Sequence, residues 1–108
     1  MCGISGILSL DGKYNKEDIL KMNKILSHRG PDDEGTYFDD FIGLGHRRLS
    51  IIDLSKAGHQ PMPDDSKRYW IVFNGEVYNY LEIREELIKD GFKFHSNTDT
   101  EVVLKSYI

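Results

Sequence analysis

The apolar residues of this chain fall into short runs whose spacing changes from that of a strand to that of a helix and back. Residues 4–10 form an Ile/Leu-rich run that an Asp-Gly pair ends, which predicts a buried strand. Helical spacing follows, because Asn15 can cap a helix whose apolar residues recur until a Gly-Pro pair at residues 30–31 stops it. We therefore expect short strands mixed with helices.

The rest of the chain continues this alternation. Strands are predicted over residues 36–52 (a pair with a turn near Asp39-Asp40), 69–73 and 92–94. Two capping-box patterns predict two helices, and they pair Asn79 with Glu82 and Thr98 with Glu101. Gly91 is expected to close the first of these helices.

Composition excludes several classes of protein. The 108 residues are 39% hydrophobic and 30% charged, which is a globular balance, and the net charge of −4 gives no reason to expect nucleic acid or a membrane surface. A single cysteine excludes a disulfide framework within the chain, and the four histidines lack metal-ligand spacing. With no signal-peptide pattern and no apolar run of roughly 20 residues, we expect a cytoplasmic protein.

The single cysteine stands at position 2, directly behind the initiator methionine. One interpretation is a small buried hydrophobe at the start of a strand. The other begins with removal of Met1, which a residue as small as cysteine permits. Cys2 would then carry a thiol and a free α-amino group, whose pKa of about 8 suits it to act as the base. Gly3 leaves room for a substrate, and the strand that follows anchors the thiol.

A nucleophile of this kind needs an oxyanion hole, for which Asn74-Gly75 is the best candidate. An asparagine amide and a glycine N–H can both donate to one oxygen. The same pair between two apolar runs is also a strong hairpin signal.

Charged residues near the predicted strands leave two further questions open. Arg47 and Arg48 are adjacent in a strand and point to opposite faces, so the pattern does not decide which one turns inward. Asp99 lies in the first turn of the last helix, where it favours the helix dipole or holds a cationic group.

Five stretches, read together, resemble one family. They are MCGISG at 1–6, HRGPD at 28–32, GHRRLSIID at 45–53, FNGEVYNY at 73–80 and TDTE at 98–101. In this order they resemble the glutamine amidotransferase domain of the N-terminal-nucleophile type, and most closely that of the glutamine-hydrolysing asparagine synthetases. The resemblance implies an α+β fold, a four-layer αββα sandwich with antiparallel sheets, of which this chain would be the N-terminal part.

The resemblance also implies a role for each site residue. Cys2 would be the nucleophile that attacks the side-chain amide of glutamine, and Asn74 and Gly75 would form the oxyanion hole. Arg48 would hold the α-carboxylate of the substrate. Its α-ammonium would be held by Glu76 and Asp99, with further backbone contacts from Leu49 and Ile51.

In such enzymes the ammonia passes to a synthetase domain, where ATP and Mg²⁺ activate an acceptor, which is aspartate in asparagine synthesis. The glutaminase step needs no cofactor.

We expect residues 1–108 to be a partial glutaminase domain, because its last helix ends on uncapped apolar residues at Ile108. The expected partners are glutamine, the synthetase domain and a possible homodimer. The alternatives are a non-catalytic module acting through a partner chain, another hydrolase with an N-terminal nucleophile, or an amidotransferase for a different acceptor.

Overall fold

The computed structural model describes residues 2–50 and 52–108. In chain order its elements are β1 (Gly3–Leu8), α1 (Lys16–Ile25), a 3₁₀ turn (Leu26–His28), β2 (Asp33–Phe38), β3 (Ile42–Arg48), a 3₁₀ turn (Lys56–Gly58), β4 (Met62–Pro63), β5 (Trp70–Ile71), α2 (Tyr80–Lys89) and α3 (Asp99–Tyr107). The strands form two antiparallel sheets, so the predicted α+β class with antiparallel sheets is confirmed.

The larger sheet has β3 at its centre, in the order β1-β3-β2. Gly3 lies opposite Arg47 in the antiparallel register of β1 and β3. The start of β1 therefore meets the end of β3, which brings residue 2 close to the residues that follow Arg48. β4 and β5 form a separate pair of two residues each.

Helix α1 covers one face of the larger sheet. Its Ile19 is fully buried, and the Asn23 amide donates to the carbonyl of Gly35 at 3.0 Å. Gly45 lets the helix approach this closely, because a Cβ there would collide with Ser5 and Asn23. The opposite face of β3 carries His46 and Arg48, and these two side chains point toward the second half of the chain.

Few large apolar side chains are buried among the described residues. The buried hydrophobic residues are Ile19, Met62, Val102 and Leu104. Polar side chains fill much of the remaining interior, and they include Asn23, His46, Arg48, Gln60, Asp99 and Glu101. Hydrogen bonds therefore determine much of the arrangement around the site.

Several predicted elements differ from the structure. β1 ends at Leu8 rather than residue 10, because the N–H of Gly12 bonds to the carbonyl of Ser9 and closes a turn. The strand predicted over residues 69–73 is shortened to the two residues of β5, and residues 92–94 form no strand.

Residues 74–75 are not a hairpin turn. They lie in a loop, and neither has the positive φ that a type I′ turn requires.

The two predicted capping boxes form only in part. Asn79 makes no side-chain cap, since its ψ of 27° is not the extended conformation that a capping residue needs. Thr98 does cap α3 by accepting from the N–H of Glu101 at 3.2 Å. The Glu101 carboxylate passes beyond Thr98 and accepts from the N–H of Ser96 at 2.7 Å. Gly91 has a φ of 98° and closes α2 as predicted.

None of the helices within residues 2–50 and 52–108 has the length and apolarity that crossing a membrane requires.

Candidate active site

A cavity of about 400 Å³ opens where the start of β1, the end of β3, the loop after β5 and the first turn of α3 meet. Seven of the residues predicted for the site line it, and they are Cys2, Arg48, Leu49, Asn74, Gly75, Glu76 and Asp99. The eighth, Ile51, lies outside the described residues. The tertiary structure thus brings together side chains that the sequence spreads over nearly its whole length.

The thiol of Cys2 is held against the backbone that follows β3. The N–H of Leu49 points at Sγ from 3.3 Å, and Sγ lies 3.7 Å from the Leu49 carbonyl oxygen. On the other side, Arg29 Nε donates to the Cys2 carbonyl at 3.4 Å. Cys2 is half-buried rather than enclosed in the core, so its sulfur is open to the cavity. Met1 lies outside the described residues, and the α-amino base stays a prediction.

The two adjacent arginines are separated by the sheet, which answers the question that the sequence left open. Arg47 turns away from the cavity, where Nε donates to the Gly30 carbonyl at 3.0 Å and Nη1 pairs with Glu34 at 2.7 Å. Arg48 is buried and lines the cavity. Its Nη1 donates to the Ser55 carbonyl at 2.6 Å, and its Nη2 donates to the carbonyl of Asp53.

Gly58 is the reason that the Arg48 guanidinium fits where it does. A Cβ at Gly58 would collide with the guanidinium and would lie 3.0 Å from Cγ2 of Thr98. The backbone of this 3₁₀ turn therefore approaches the guanidinium more closely than a residue with a Cβ would allow. With two carbonyls bound on one side, the guanidinium keeps further N–H donors for a ligand in the cavity.

Asn74, Gly75 and Glu76 are exposed members of the loop between β5 and α2. All three line the cavity. Asn74 and Gly75 can offer N–H donors to a ligand there, and Glu76 can offer a carboxylate. The loop ends at Val77, whose N–H donates to Asp99 Oδ2 at 3.0 Å.

Asp99 lies in the first turn of α3, buried and facing the cavity. One carboxylate oxygen binds the loop through Val77, and the same carboxylate benefits from the positive end of the helix dipole. The position agrees with the helix-dipole role, and the holding of a cationic group by Asp99 stays a prediction. The cavity has a buried guanidinium, contributed by Arg48, and two carboxylates, contributed by Glu76 and Asp99.

Asp53 joins the arginine side of the cavity to the segment that leads into α3, and the sequence analysis missed it. Its carboxylate accepts from the N–H of Ser55 and from the N–H of Asn97, each at 2.8 Å. Hydrogen bonds from Ser55 and from the backbone of Asn97 hold the pKa of Asp53 below its usual value, with a smaller contribution from the charge of Arg48. The Asp-Leu-Ser sequence could have indicated this turn, since Asp and Ser favour such side-chain to backbone bonds.

Gln60 and Thr100 also line the cavity and were not predicted. The cis peptide before Pro61 follows Gln60 directly. A glutamine in a loop matches no motif that would mark it as a site residue in a single sequence.

In the part of the chain that the structure describes, no group of three or more His, Cys, Asp or Glu side chains is arranged as a metal site.

Comparison with known proteins gives a consistent result. The profile of a glutamine amidotransferase domain matches residues 1–108. The chain is 46% identical over 111 residues to glutamine-hydrolyzing asparagine synthetase 1 of Bacillus subtilis, covering 99% of this chain and 17% of that protein. It is 48% identical over 125 residues to putative glutamine-hydrolyzing asparagine synthetase 2 of Methanocaldococcus jannaschii, covering 99% and 24%.

A third relative has a different kind of name. The chain is 41% identical over 120 residues to amidase chry2 of Gibberella zeae, covering 99% of this chain and 18% of that protein. The chain therefore spans less than a quarter of the length of each of these three relatives.

Proposed function

The chain belongs to the glutamine amidotransferase domain family, and from that premise we propose that it hydrolyses the side-chain amide of glutamine and releases ammonia. One observation carries the proposal. A half-buried thiol, a buried guanidinium and two carboxylates line the same cavity, which suits a small zwitterion held at both ends beside a nucleophile.

Substrate binding follows from charge. The α-carboxylate of glutamine binds Arg48, whose planar guanidinium suits a two-point contact. The α-ammonium binds between Glu76 and Asp99. This orientation directs the side-chain amide toward Cys2, and the groups that hold both charged ends favour a free amino acid over a peptide.

The chemistry is acyl transfer through a thioester. The Cys2 sulfur bonds to the amide carbon while the thiol proton passes to the α-amino group of the same residue. The side chain of Asn74 and the N–H of Gly75 stabilise the resulting oxyanion. The C–N bond then breaks, the α-ammonium returns the proton to the leaving ammonia, and water hydrolyses the γ-glutamyl thioester to glutamate.

The use of the ammonia is a separate part of the proposal. The relatives named asparagine synthetases favour aspartate as the acceptor, activated with ATP and Mg²⁺ by a synthetase domain outside these residues. Because another relative is named an amidase, a different acceptor for the ammonia is the alternative. The glutaminase step itself uses no cofactor. A cytoplasmic location and a homodimer remain predictions.

The test uses the full-length gene product and measures glutamate release from glutamine, with intact mass to report whether Met1 is present. Cys2→Ala should abolish hydrolysis, and Cys2→Ser should be nearly as damaging because a hydroxyl is a much weaker nucleophile. Ser5→Ala is the matched control, since Ser5 lies in β1 three residues after Cys2 and faces Asn23 rather than the cavity. Full turnover by a protein that retains Met1 would contradict the amino base. A wild type without Met1 that releases no glutamate would favour the non-catalytic alternative.

A further inference from the structure

The backbone of Phe73, directly before Asn74, is held at both its N–H and its carbonyl by buried side chains. The N–H of Phe73 donates to Gln60 Oε1 at 2.7 Å. The carbonyl oxygen of Phe73 lies 3.2 Å from His46 Nε2. His46 is completely buried and Gln60 is 5% exposed, so water does not compete for either contact.

The ring of His46 has one proton position that satisfies this geometry. A carbonyl oxygen only accepts, so the Nε2 of His46 carries the proton, and Nδ1 is left buried without a partner among the described residues. Burial lowers the pKa of His46, with the Phe73 carbonyl and Asp33 opposing the shift and Arg48 and His59 adding to it. The neutral ring is therefore a fixed donor near pH 7.

Gln60 extends the contact to α3. Its Nε2 donates to Thr100 Oγ1 at 3.1 Å, and Thr100 is the neighbour of Asp99 in the first turn of that helix. Asp99 in turn accepts from Val77 at 3.0 Å. The loop is thus fixed at Phe73 and at Val77, with three residues between these points.

Those three residues are Asn74, Gly75 and Glu76, and they have little other support. Among the described residues, no backbone-to-backbone hydrogen bond is made by residues 72–76. The direction in which the Asn74 side chain and the Gly75 N–H point therefore depends on the backbone conformation at Phe73. Displacement of a catalytic group by about 1 Å can reduce a rate by about 10².

We propose that His46 and Gln60 are positioning residues for glutamine hydrolysis, which clamp the backbone of Phe73 on both sides of its Cα so that Asn74 and Gly75 point at the oxyanion. The inference rests on the proposed function. The clamp acts on the transition state, because the oxyanion exists only there, and it has little influence on substrate affinity, which depends on Arg48, Glu76 and Asp99.

The kinetic test uses the full-length gene product. Gln60→Met and His46→Met keep side-chain bulk and remove the hydrogen bonds to Phe73. Each should lower kcat by about 10- to 100-fold, with KM for glutamine within about threefold of wild type. His46→Gln should recover most of the lost kcat, since an amide nitrogen can donate from nearly the position of Nε2. His59→Gln is the matched control, because that histidine is exposed and pairs with Asp33.

A second measurement does not depend on activity. Hydrogen–deuterium exchange of the unliganded protein should be faster over residues 72–77 in Gln60→Met than in wild type, with β1 and β3 unchanged. Unaltered exchange over this loop would overturn the clamp, even if His46→Met fails to fold.

The outcomes separate the two proposals. An active wild type whose folded Gln60→Met and His46→Met variants keep full kcat overturns the positioning role alone. A wild type that releases no glutamate overturns the proposed function and with it the catalytic role of the clamp, and the exchange data then decide whether the clamp itself exists.

Discussion

The carboxylate of Asp99 accepts a hydrogen bond from the backbone N–H of Val77 at 3.0 Å, across 22 residues of sequence. This bond fixes the end of the loop that carries Asn74, Gly75 and Glu76 against the first turn of α3. One side chain thus takes part both in the architecture of the loop and in the charge of the cavity.

Asp99→Asn separates these two roles. The amide oxygen of asparagine still accepts from Val77, but the negative charge offered to the substrate ammonium is lost. We expect KM for glutamine to rise about tenfold or more, equivalent to about 1.4 kcal/mol, with a smaller change in kcat. Glu85→Gln, on the exposed side of α2, is the control. A variant with unchanged KM would show that Asp99 is structural only.

The two arginines should respond differently to the same substitution. Arg48→Lys removes a planar two-point contact that lysine cannot replace, so KM for glutamine should rise by about tenfold or more. It should also lower stability, because the carbonyls of Asp53 and Ser55 lose a donor. Arg47→Lys should leave KM unchanged and lose at most about 1 kcal/mol from its pair with Glu34. Steady-state kinetics on the folded fraction measure both values of KM. A raised KM in Arg47→Lys with an unchanged KM in Arg48→Lys would contradict this assignment.

Gly58→Ala tests the same guanidinium without changing any charge. The new methyl would collide with Arg48, so the guanidinium must move or the 3₁₀ turn must shift. We expect KM for glutamine to increase several-fold while kcat falls less. Gly6→Ala is the control, because a Cβ there meets its nearest neighbours at an ordinary 3.5 Å. Equal kinetics for both variants would mean that the close approach of Gly58 to Arg48 has no functional consequence.

Asn74→Ala should lower kcat by about 10² to 10³, or about 2.7–4 kcal/mol of transition-state stabilisation. Stability should barely change, because Asn74 is exposed in a loop rather than part of a hairpin turn. Asn15→Ala should do the opposite. Asn15 caps α1 by accepting from the N–H of Glu17 at 2.9 Å, so its loss should cost about 1 kcal/mol of stability and leave kcat unchanged. Urea unfolding and kinetics on the same samples would distinguish the two patterns.

Stability should decline in acid partly through Asp53. Its pKa is lower in the folded chain than the value of about 3.9 expected when unfolded. Its contribution is therefore complete above the unfolded pKa and is lost as pH falls through the lower, folded pKa. In denaturant titrations between about pH 7 and pH 3, Asp53→Asn should lose less stability on acidification than wild type. An identical slope for both proteins would contradict this role.

The sequence by itself determined the elements whose signals are local. Asn15 and Thr98 are the caps that begin α1 and α3, and Gly91 ends α2, because capping bonds and backbone conformation depend on a few neighbouring residues. The place of Cys2 directly behind Met1 is given by the order of residues, although its place in the cavity depends on the pairing of β1 with β3. The short apolar runs also fixed the mixture of strands and helices, although not the length of each strand.

The tertiary structure decided what the local patterns left open. Asn74-Gly75 matches the sequence pattern of a hairpin turn, yet the residues directly after it form no strand that pairs with β5. Gln60 and Asp99 instead hold the loop from distant positions in the sequence. The alternation of Arg47 and Arg48 predicts opposite faces but not which face is enclosed. That choice depends on residues 53–58 folding back over the end of β3, where their carbonyls bind Arg48. Contacts between residues far apart in sequence have no local signature, so their energies become visible only once the chain is folded.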